Sequence, residues 1–340
     1  MNTNKLFEQL IAGDHLNDTQ MQEIMKSCMS GELSDGQITA FLALMRMKGE
    51  TVDELTTAAH VMMEYAHCID LGNDLIDIVG TGGDGKNTFN VSTVCSIVAA
   101  AAGAFVAKHG NRSVSGRSGS TDVLTQAGIE LQLGDGQLKH CMEKLHICFL
   151  FAPHFHTAMQ HVRVARQQLG IRSFFNLLGP LINPARVRKQ VVGVFSSHLL
   201  QPVAQVLKRL GSQRALVIHS RDGLDEISIS DITDVVELHQ GQFKQWSVDP
   251  RDYHCHHASL DGIIINSPEQ SLRLIEDVLN GQPGPARDIV LLNTAAALFC
   301  AGTADDLAQG IRLAAEALDT GKAKSLFYQL KELTQTVKKS

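Results

Sequence analysis

Residues 77–93 read DIVGTGGDGKNTFNVST: a short apolar run, a turn with four glycines, then hydroxyl and amide side chains that open a helix. Strand, glycine turn and helix start, in that order, make an anion-binding architecture. Glycines let the backbone approach a phosphate closely, and the first turn of the next helix offers unpaired N–H donors and the positive end of its dipole. Gly80, Gly82 and Gly85 fit G-x-G-x-x-G, but a dinucleotide site needs an acidic residue about 20 positions on, at the end of the second strand. Here that strand, AFVAK, ends in Lys108, a cation that suits a phosphate better than a ribose diol. A nicotinamide oxidoreductase is disfavoured for that reason. Gly80, Gly85 and Lys86 fit G-x-x-x-x-G-K, yet Asn87 follows where a P-loop has Ser or Thr on Mg2+. A ligand-free turn would not require the Asp84, Thr88, Asn90, Ser92 and Thr93 that follow.

Beyond residue 75 short apolar runs alternate with helical stretches. Strands are expected at 75–79, 104–107, 147–151, 191–195 and 215–219, and helices at 94–102 and 199–210. That alternation predicts an α/β fold with a central, mainly parallel sheet flanked by helices, whose ligands collect beyond the carboxyl ends of the strands. Residues 288–301, DIVLLNTAAALFCA, are too long for a typical strand and alanine-rich enough for a buried helix. The first seventy residues read as helices instead. Met21, Ile24, Met25 and Cys28, and again Ile38, Phe41, Leu42 and Met45, recur with helical spacing. Ser34 with Gln37 and Thr51 with Glu54 are capping boxes. We therefore expect a small N-terminal all-helical domain, residues 1–72, completed by a helical segment near 170–186, and a larger α/β domain of residues 73–169 and 187–340. The apolar faces exceed what one small bundle needs, so 33–47 is expected to pack against a second copy in a homodimer.

The chain has 340 residues, 44% of them hydrophobic, and a net charge of −6. This is enough for more than one domain, and too acidic for nucleic acid binding through a broad basic face. No run of ~18 apolar residues and no cationic, apolar leader is present, so neither membrane nor export is indicated and a cytoplasmic location is expected. Seven cysteines, an odd number without a C-x-x-C pair, fit a reducing compartment. The tract His254, Cys255, His256, His257 is expected to be an exposed loop, since adjacent ligands rarely all face one ion.

Three further segments carry chemistry. In 108–121, KHGNRSVSGRSGST, the cations Lys108, Arg112 and Arg117 stand among glycines and serines, as in a clamp over an anion. In 151–185, Arg163 and Arg166 share a helical face and one pointing inward suffices to bind a carboxylate. Pro180 and Pro184 bracket a stiff crossing segment with Gly179 as its helix stop, a candidate hinge. In 219–230, HSRDGLDEISIS, the adjacent Asp225 and Glu226 suit a hard ion such as Mg2+ that takes its other ligands from water and phosphate. An alternating strand is expected after them. Neighbouring side chains on a strand point oppositely, so both serve only at an irregular entry.

Taken together, GTGGDG, NVST, KHGNR, the block from FAP to LGPLINPA, DGLDE and NTAAAL run the length of the chain and resemble the anthranilate phosphoribosyltransferase family of tryptophan biosynthesis. The resemblance implies transfer of the phosphoribosyl group of 5-phosphoribosyl 1-pyrophosphate (PRPP) to the amine of anthranilate. It implies Mg2+, two ions per subunit, at Ser92, Asp225 and Glu226. It places PRPP on Gly80, Gly82, Gly83, Asp84, Thr88, Asn90, Val91, Ser92 and Thr93. The second loop then adds Lys108, His109, Gly110, Asn111, Arg112, Ser113, Ser115, Gly116 and Ser120. Anthranilate falls on Gly80, Asn111 and Arg166, with Lys108, Asn111 and Arg166 at the chemistry and water or His109 as proton acceptor. Gly116, Thr157, Ala165 and Ser220 depart from the family pattern, affecting loop conformation rather than any charged ligand. A pyrimidine nucleoside phosphorylase shares the fold but would lack the DGLDE pair and an arginine in the LGIRSFFN context. A non-catalytic nucleic-acid-binding paralogue would be expected to lose KHGNR and the acidic pair and turn basic.

Overall fold

The computed structural model describes residues 2–112 and 117–337, so Ser113, Ser115 and Gly116 lie outside the described residues. Four helices come first: α1 (Thr3–Ile11), α2 (Asp18–Ser30), α3 (Asp35–Lys48) and α4 (Val52–Glu64). The alternating part begins β1 (Leu75–Gly80), α5 (Val91–Ala101), β2 (Phe105–Gly110), α6 (Ser120–Gln126), α7 (Asp135–Leu145), β3 (Ile147–Phe151). It continues α8 (Ala152–Phe155), α9 (Gln160–Leu169), α10 (Phe175–Leu178), β4 (Lys189–Gly193), α11 (Leu200–Arg209), β5 (Arg214–Ser220). Last come β6 (Thr233–His239), β7 (Gln242–Val248), α12 (Pro268–Leu279), α13 (Pro285–Ala301), α14 (Leu307–Asp319) and α15 (Lys322–Val337).

The strands form one seven-stranded sheet in the order β3-β2-β1-β4-β5-β6-β7. β1 to β5 are parallel, while β6 and β7 add antiparallel at one edge. From central β1 the chain moves out to β2 and β3, then returns to β4 on the other side. The switch point between β1 and β4 is where such sheets bind ligands. All five expected strands are present, 147–151 with the expected bounds and the other four with shifted ends; β6 and β7 were not anticipated. The strand expected directly after the acidic pair is absent. Residues 227–232 form a bent loop, because the Asp222 carboxylate draws in the hydroxyls of both Ser228 and Ser230, at 2.5 and 2.6 Å. Side-chain bonding of this kind competes with strand pairing.

Two apolar clusters cover opposite faces of the sheet. One gathers α5, α13 and α15. The other runs from α1–α4 through α9, α10 and α11 to Val192, Val194, Val217 and Val236, so the helical region's core is continuous with a sheet face. Ile38, Phe41, Leu42 and Met45 are all fully buried, and Phe174 meets Phe41 edge-on at 5.6 Å between centroids. This part of the 33–47 face packs against residues 162–182 of the same chain. α10 stops at Gly179 as expected, but with right-handed rather than left-handed angles, and a tighter 3-10 turn with Pro180 begins there. In the histidine tract Cys255 is buried and His257 pairs with Asp288 at 2.7 Å, so only part of it is the exposed loop expected. Among the described residues no helix is long and apolar enough to cross a membrane.

Caps explain where the first helices begin. The reciprocal boxes Ser34–Gln37 and Thr51–Glu54 both form, and Asn17–Gln20 adds a third. Glu54 also accepts from Lys48 Nζ at 2.7 Å and from the Leu16 N–H at 2.8 Å. Burial pushes the Glu54 pKa up, but the Lys48 ammonium and the backbone donors outweigh it and hold the group below the ordinary 4.5. Its stabilising contribution is therefore complete above pH 4.5 and is lost as pH falls through the lower folded value. Glu54→Gln should cost about 3 kcal/mol at neutral pH by stranding Lys48, and should flatten the acid limb of stability in urea titrations at several pH values. An unaltered acid limb would refute this.

Candidate active site

β1 and β4 end side by side on Gly80 and Gly193, and the loop after β5 folds back over both. A Cβ on Gly80 would lie 2.6 Å from Asp225 Oδ2, and one on Gly193 would coincide with the Asp225 carbonyl. Close approach, rather than backbone angle, demands glycine at these two positions. Gly82 and Gly83 differ: they hold φ of +64° and +78°. The Gly82 N–H donates to Asp225 Oδ2 at 3.0 Å, joining turn to loop. Asp222 holds the loop's shape, taking the Leu224 N–H at 3.1 Å besides the two serines. Asn293 on α13 accepts the Ile227 N–H at 2.8 Å and donates to the Ile227 carbonyl at 2.9 Å, which fixes the backbone next to Glu226. Ser220 is fully buried and its hydroxyl bonds within the same loop, so this departure is absorbed there.

Asp84, Asp225 and Glu226 consequently act on one another. Burial first, then the Asp84 charge, hold the Asp225 carboxyl well above its usual range; burial and then Asp225 raise Glu226 likewise. Both residues keep an edge open to solvent. Lys108 supplies the opposing charge. Its buried ammonium donates to the Ile78 carbonyl and, at 3.2 Å, to the Ser92 hydroxyl, so it reaches the site from within rather than from an open loop. Burial lowers its pKa against the pull of Asp77 and Glu226.

His109, next along the strand, turns to the opposite face. Its Nδ1 faces the Gly179 carbonyl at 3.2 Å, and its ring lies 5.2 Å from that of His156. Burial, then His156, push it down to about 3. Its basicity is thus strongly reduced and it points away from Lys108 and Ser92, which counts against the expected role as proton acceptor.

α5 opens beside the carboxylates. Asn90 does not cap the helix with its side chain. Instead its carboxamide donates to the Ser118 carbonyl at 3.1 Å and accepts from the hydroxyls of Ser118 and Ser271 at 2.8 and 2.7 Å. Nothing in the sequence pattern marks Ser271, on α12. Val91 is buried in the first helical turn, and the Thr93 hydroxyl there is buried without a partner, an orphan that a polar ligand would satisfy. Thr88 bridges to Ile264, anchoring the far end of the glycine turn. At the end of β2, a Cβ on Gly110 would strike the Ser120 hydroxyl, which donates to the Asn111 carbonyl at 3.2 Å. Asn111 and Arg112 are exposed.

On α9, Arg163 is exposed while Arg166 turns inward, 5.4 Å over the Phe175 ring. Burial alone moves its pKa, downward: no carboxylate offsets the lost water. A desolvated guanidinium without a counter-ion is a ready receptor for a carboxylate. Ala165 beside it is fully buried, and Thr157 opens a 3-10 turn ahead of the helix.

Residues 4–66 match the Glycosyl transferase family, helical bundle domain, and residues 72–324 the Glycosyl transferase family, a/b domain. Fold and site thus define a glycosyl transferase in which a helical bundle packs against an α/β sheet. An anthranilate phosphoribosyltransferase of Legionella pneumophila (strain Paris) is 63% identical over 334 residues, 98% of this chain and 97% of that one. The crystal structure of anthranilate phosphoribosyltransferase (TrpD) from Thermus thermophilus aligns with a TM-score of 0.90 at 37% identity, covering 98% of this chain and all of the other. That of the Saccharomyces cerevisiae enzyme in complex with PRPP and Mg gives 0.90 at 26% identity, covering 98% of both. The chain belongs to the anthranilate phosphoribosyltransferase family.

Among the described residues no three of His, Cys, Asp and Glu close into a protein-only metal site. The open set of Asp84, Asp225 and Glu226 fits instead an ion that completes its shell with water and phosphate oxygens. Raised carboxyl pKa values mean that the folded chain holds protons there which it must release to bind a divalent cation. Without metal these groups cost stability as pH rises above the ordinary carboxylate range, because the folded state binds more protons than the unfolded one. The rise in Tm on adding Mg2+ should therefore be larger at about pH 8 than at about pH 6, and should vanish in Asp225→Asn/Glu226→Gln. A rise that persists in the double variant would put the ion elsewhere.

Proposed function

We propose that the chain transfers the phosphoribosyl group of PRPP to the amine of anthranilate, giving N-(5-phosphoribosyl)anthranilate and pyrophosphate, a step of tryptophan biosynthesis. One observation carries the reading: two unsatisfied charge sites of opposite sign. Asp84, Asp225 and Glu226 cluster beside a phosphate-type turn, and Arg166 is desolvated without a carboxylate.

Displacement at the anomeric carbon passes through an oxocarbenium-like state, so the enzyme's tasks are to neutralise the departing pyrophosphate and to align the amine on the opposite face. Asp225 and Glu226, with Ser92, would hold Mg2+, which when bound supplies positive charge to the pyrophosphate oxygens. Lys108 acts behind them, setting the Ser92 hydroxyl and balancing Glu226. Gly80, Gly82, Gly83, Asp84, Thr88, Val91 and Thr93 line the diphosphate's path. Gly110, Asn111, Arg112 and Ser120 form the second loop, which Asn90 tethers through Ser118. Arg166 grips the anthranilate carboxylate, with Asn111 and Gly80 completing that pocket. An aromatic amine carries its lone pair at neutral pH, so water suffices as proton acceptor.

The proposal extends to a homodimer through the helical region, supported by Met47, which at the end of α3 is 83% exposed. It also extends to a cytoplasmic location, supported by seven free cysteines. Residues 1–72 with 170–186 would form one body and residues 73–169 with 187–340 the other, the crossing segment acting as hinge.

Anthranilate fluorescence should fall with time only when PRPP and Mg2+ are both present; loss without PRPP, or none with both, would overturn the reading. Arg166→Ala should raise the KM for anthranilate at least tenfold, roughly the loss of one charge-assisted pair, and leave that for PRPP nearly unchanged. Equal damage to both constants would refute the role of Arg166.

A further inference from the structure

Arg172 lies on the short connection between α9, which carries Arg166, and α10. Its guanidinium stacks over the Phe195 ring, 4.7 Å from the centroid. Phe195 comes just after β4, beyond Val194, and its N–H donates to the Thr81 hydroxyl at 3.2 Å, so the ring is tied to the glycine turn. The same guanidinium reaches across that turn: a Cβ on Gly83 would lie 2.8 Å from Arg172 Nε and 3.3 Å from Cζ. Gly83 thus has two reasons to be glycine, a φ of +78° and the arginine lying over it. The residue is exposed to solvent and stands in none of the described ion pairs.

Stacking on an aromatic face orients a guanidinium without consuming its N–H donors. A carboxylate partner would have taken two of them. Arg172 is therefore a cation held in place by a ring, with its donors unspent, above a turn built to receive an anion. Arg112 and Arg117, in the loop after β2, stack on no ring among the described residues.

We propose that Arg172 is a further ligand of the sugar diphosphate, presenting its planar fork to phosphate oxygens seated on the glycine turn. This rests on the PRPP-dependent reaction proposed above. Because Arg172 and Arg166 ride on one connected segment, the two substrates are gripped by cations from the same structural element.

The test uses the full chain, with Arg172→Gln and Arg172→Lys, in the presence of Mg2+. Steady-state constants for both substrates and the calorimetric Kd for PRPP are measured, with Tm as a check on folding. Arg172→Gln should raise the KM and Kd for PRPP roughly 10- to 100-fold, the scale of a lost charge-assisted pair. The KM for anthranilate should stay within about 2-fold and Tm should be unchanged. Arg172→Lys should recover part of the affinity, keeping charge but losing the fork. PRPP binding equal to wild type in Arg172→Gln, or a parallel rise in both KM values, overturns the assignment. If the wild type binds no PRPP, the functional reading fails first; if it binds PRPP and Arg172→Gln binds it equally well, only the role of Arg172 falls.

Discussion

Two missing methyl groups hold the site together. Gly80 and Gly193 are paired across neighbouring parallel strands at the switch point of the sheet, and the space where their Cβ atoms would stand is occupied by Asp225. Any side chain there would push the loop after β5 off the sheet, and with it the acidic pair. The loop in turn keeps its path through Asp222, which gathers Ser228, Ser230 and the Leu224 N–H, and through Asn293, whose carboxamide serves both backbone groups of Ile227. A buried polar network of this kind costs little only when every member is satisfied, and here the supporting members are.

Several of the groups that face ligand are left unsatisfied. Three carboxylates approach one another beside a single buried lysine, Arg166 is stripped of water without a counter-ion, and the Thr93 hydroxyl has no partner. Each lowers the stability of the chain alone and is relieved by a cation, a carboxylate or a phosphate. Local rules broken at one place while holding elsewhere are a mark of a functional site. The second apolar cluster runs from the helical bundle through the crossing segment onto the sheet and takes in Val162 and Ala165 of the helix that carries Arg166.

Much of the fold was legible because its signals are local. The boxes at Ser34 and Thr51 depend on residues three positions apart, the helical face of Ile38 to Met45 on a 3.6 repeat, and the glycine turn on a strand and helix that flank it directly. Where longer-range contacts decide, reading along the chain misled. The alternation in ISIS resembles a strand until Asp222 claims both serines, and Lys108 resembles a loop cation until its ammonium is seen bonded inside at Ile78 and Ser92. Ser271 carried no signal, since its partner Asn90 lies 181 positions away, and NTAAAL did not reveal that its Asn293 braces the backbone beside Glu226.

From the sequence alone came the residue types and their near-neighbour order: a phosphate-type turn, an adjacent acidic pair, an arginine on a helix, and the family these motifs resemble. Such features rest on backbone geometry and spacing, which short segments carry in themselves. The meeting of turn and acidic pair, the inward turn of Arg166 rather than Arg163, and the seat of Arg172 on Phe195 were decided only by the tertiary structure. The reason is that each depends on which strands lie side by side and on what fills the space above two glycines, and no local stretch of chain specifies either.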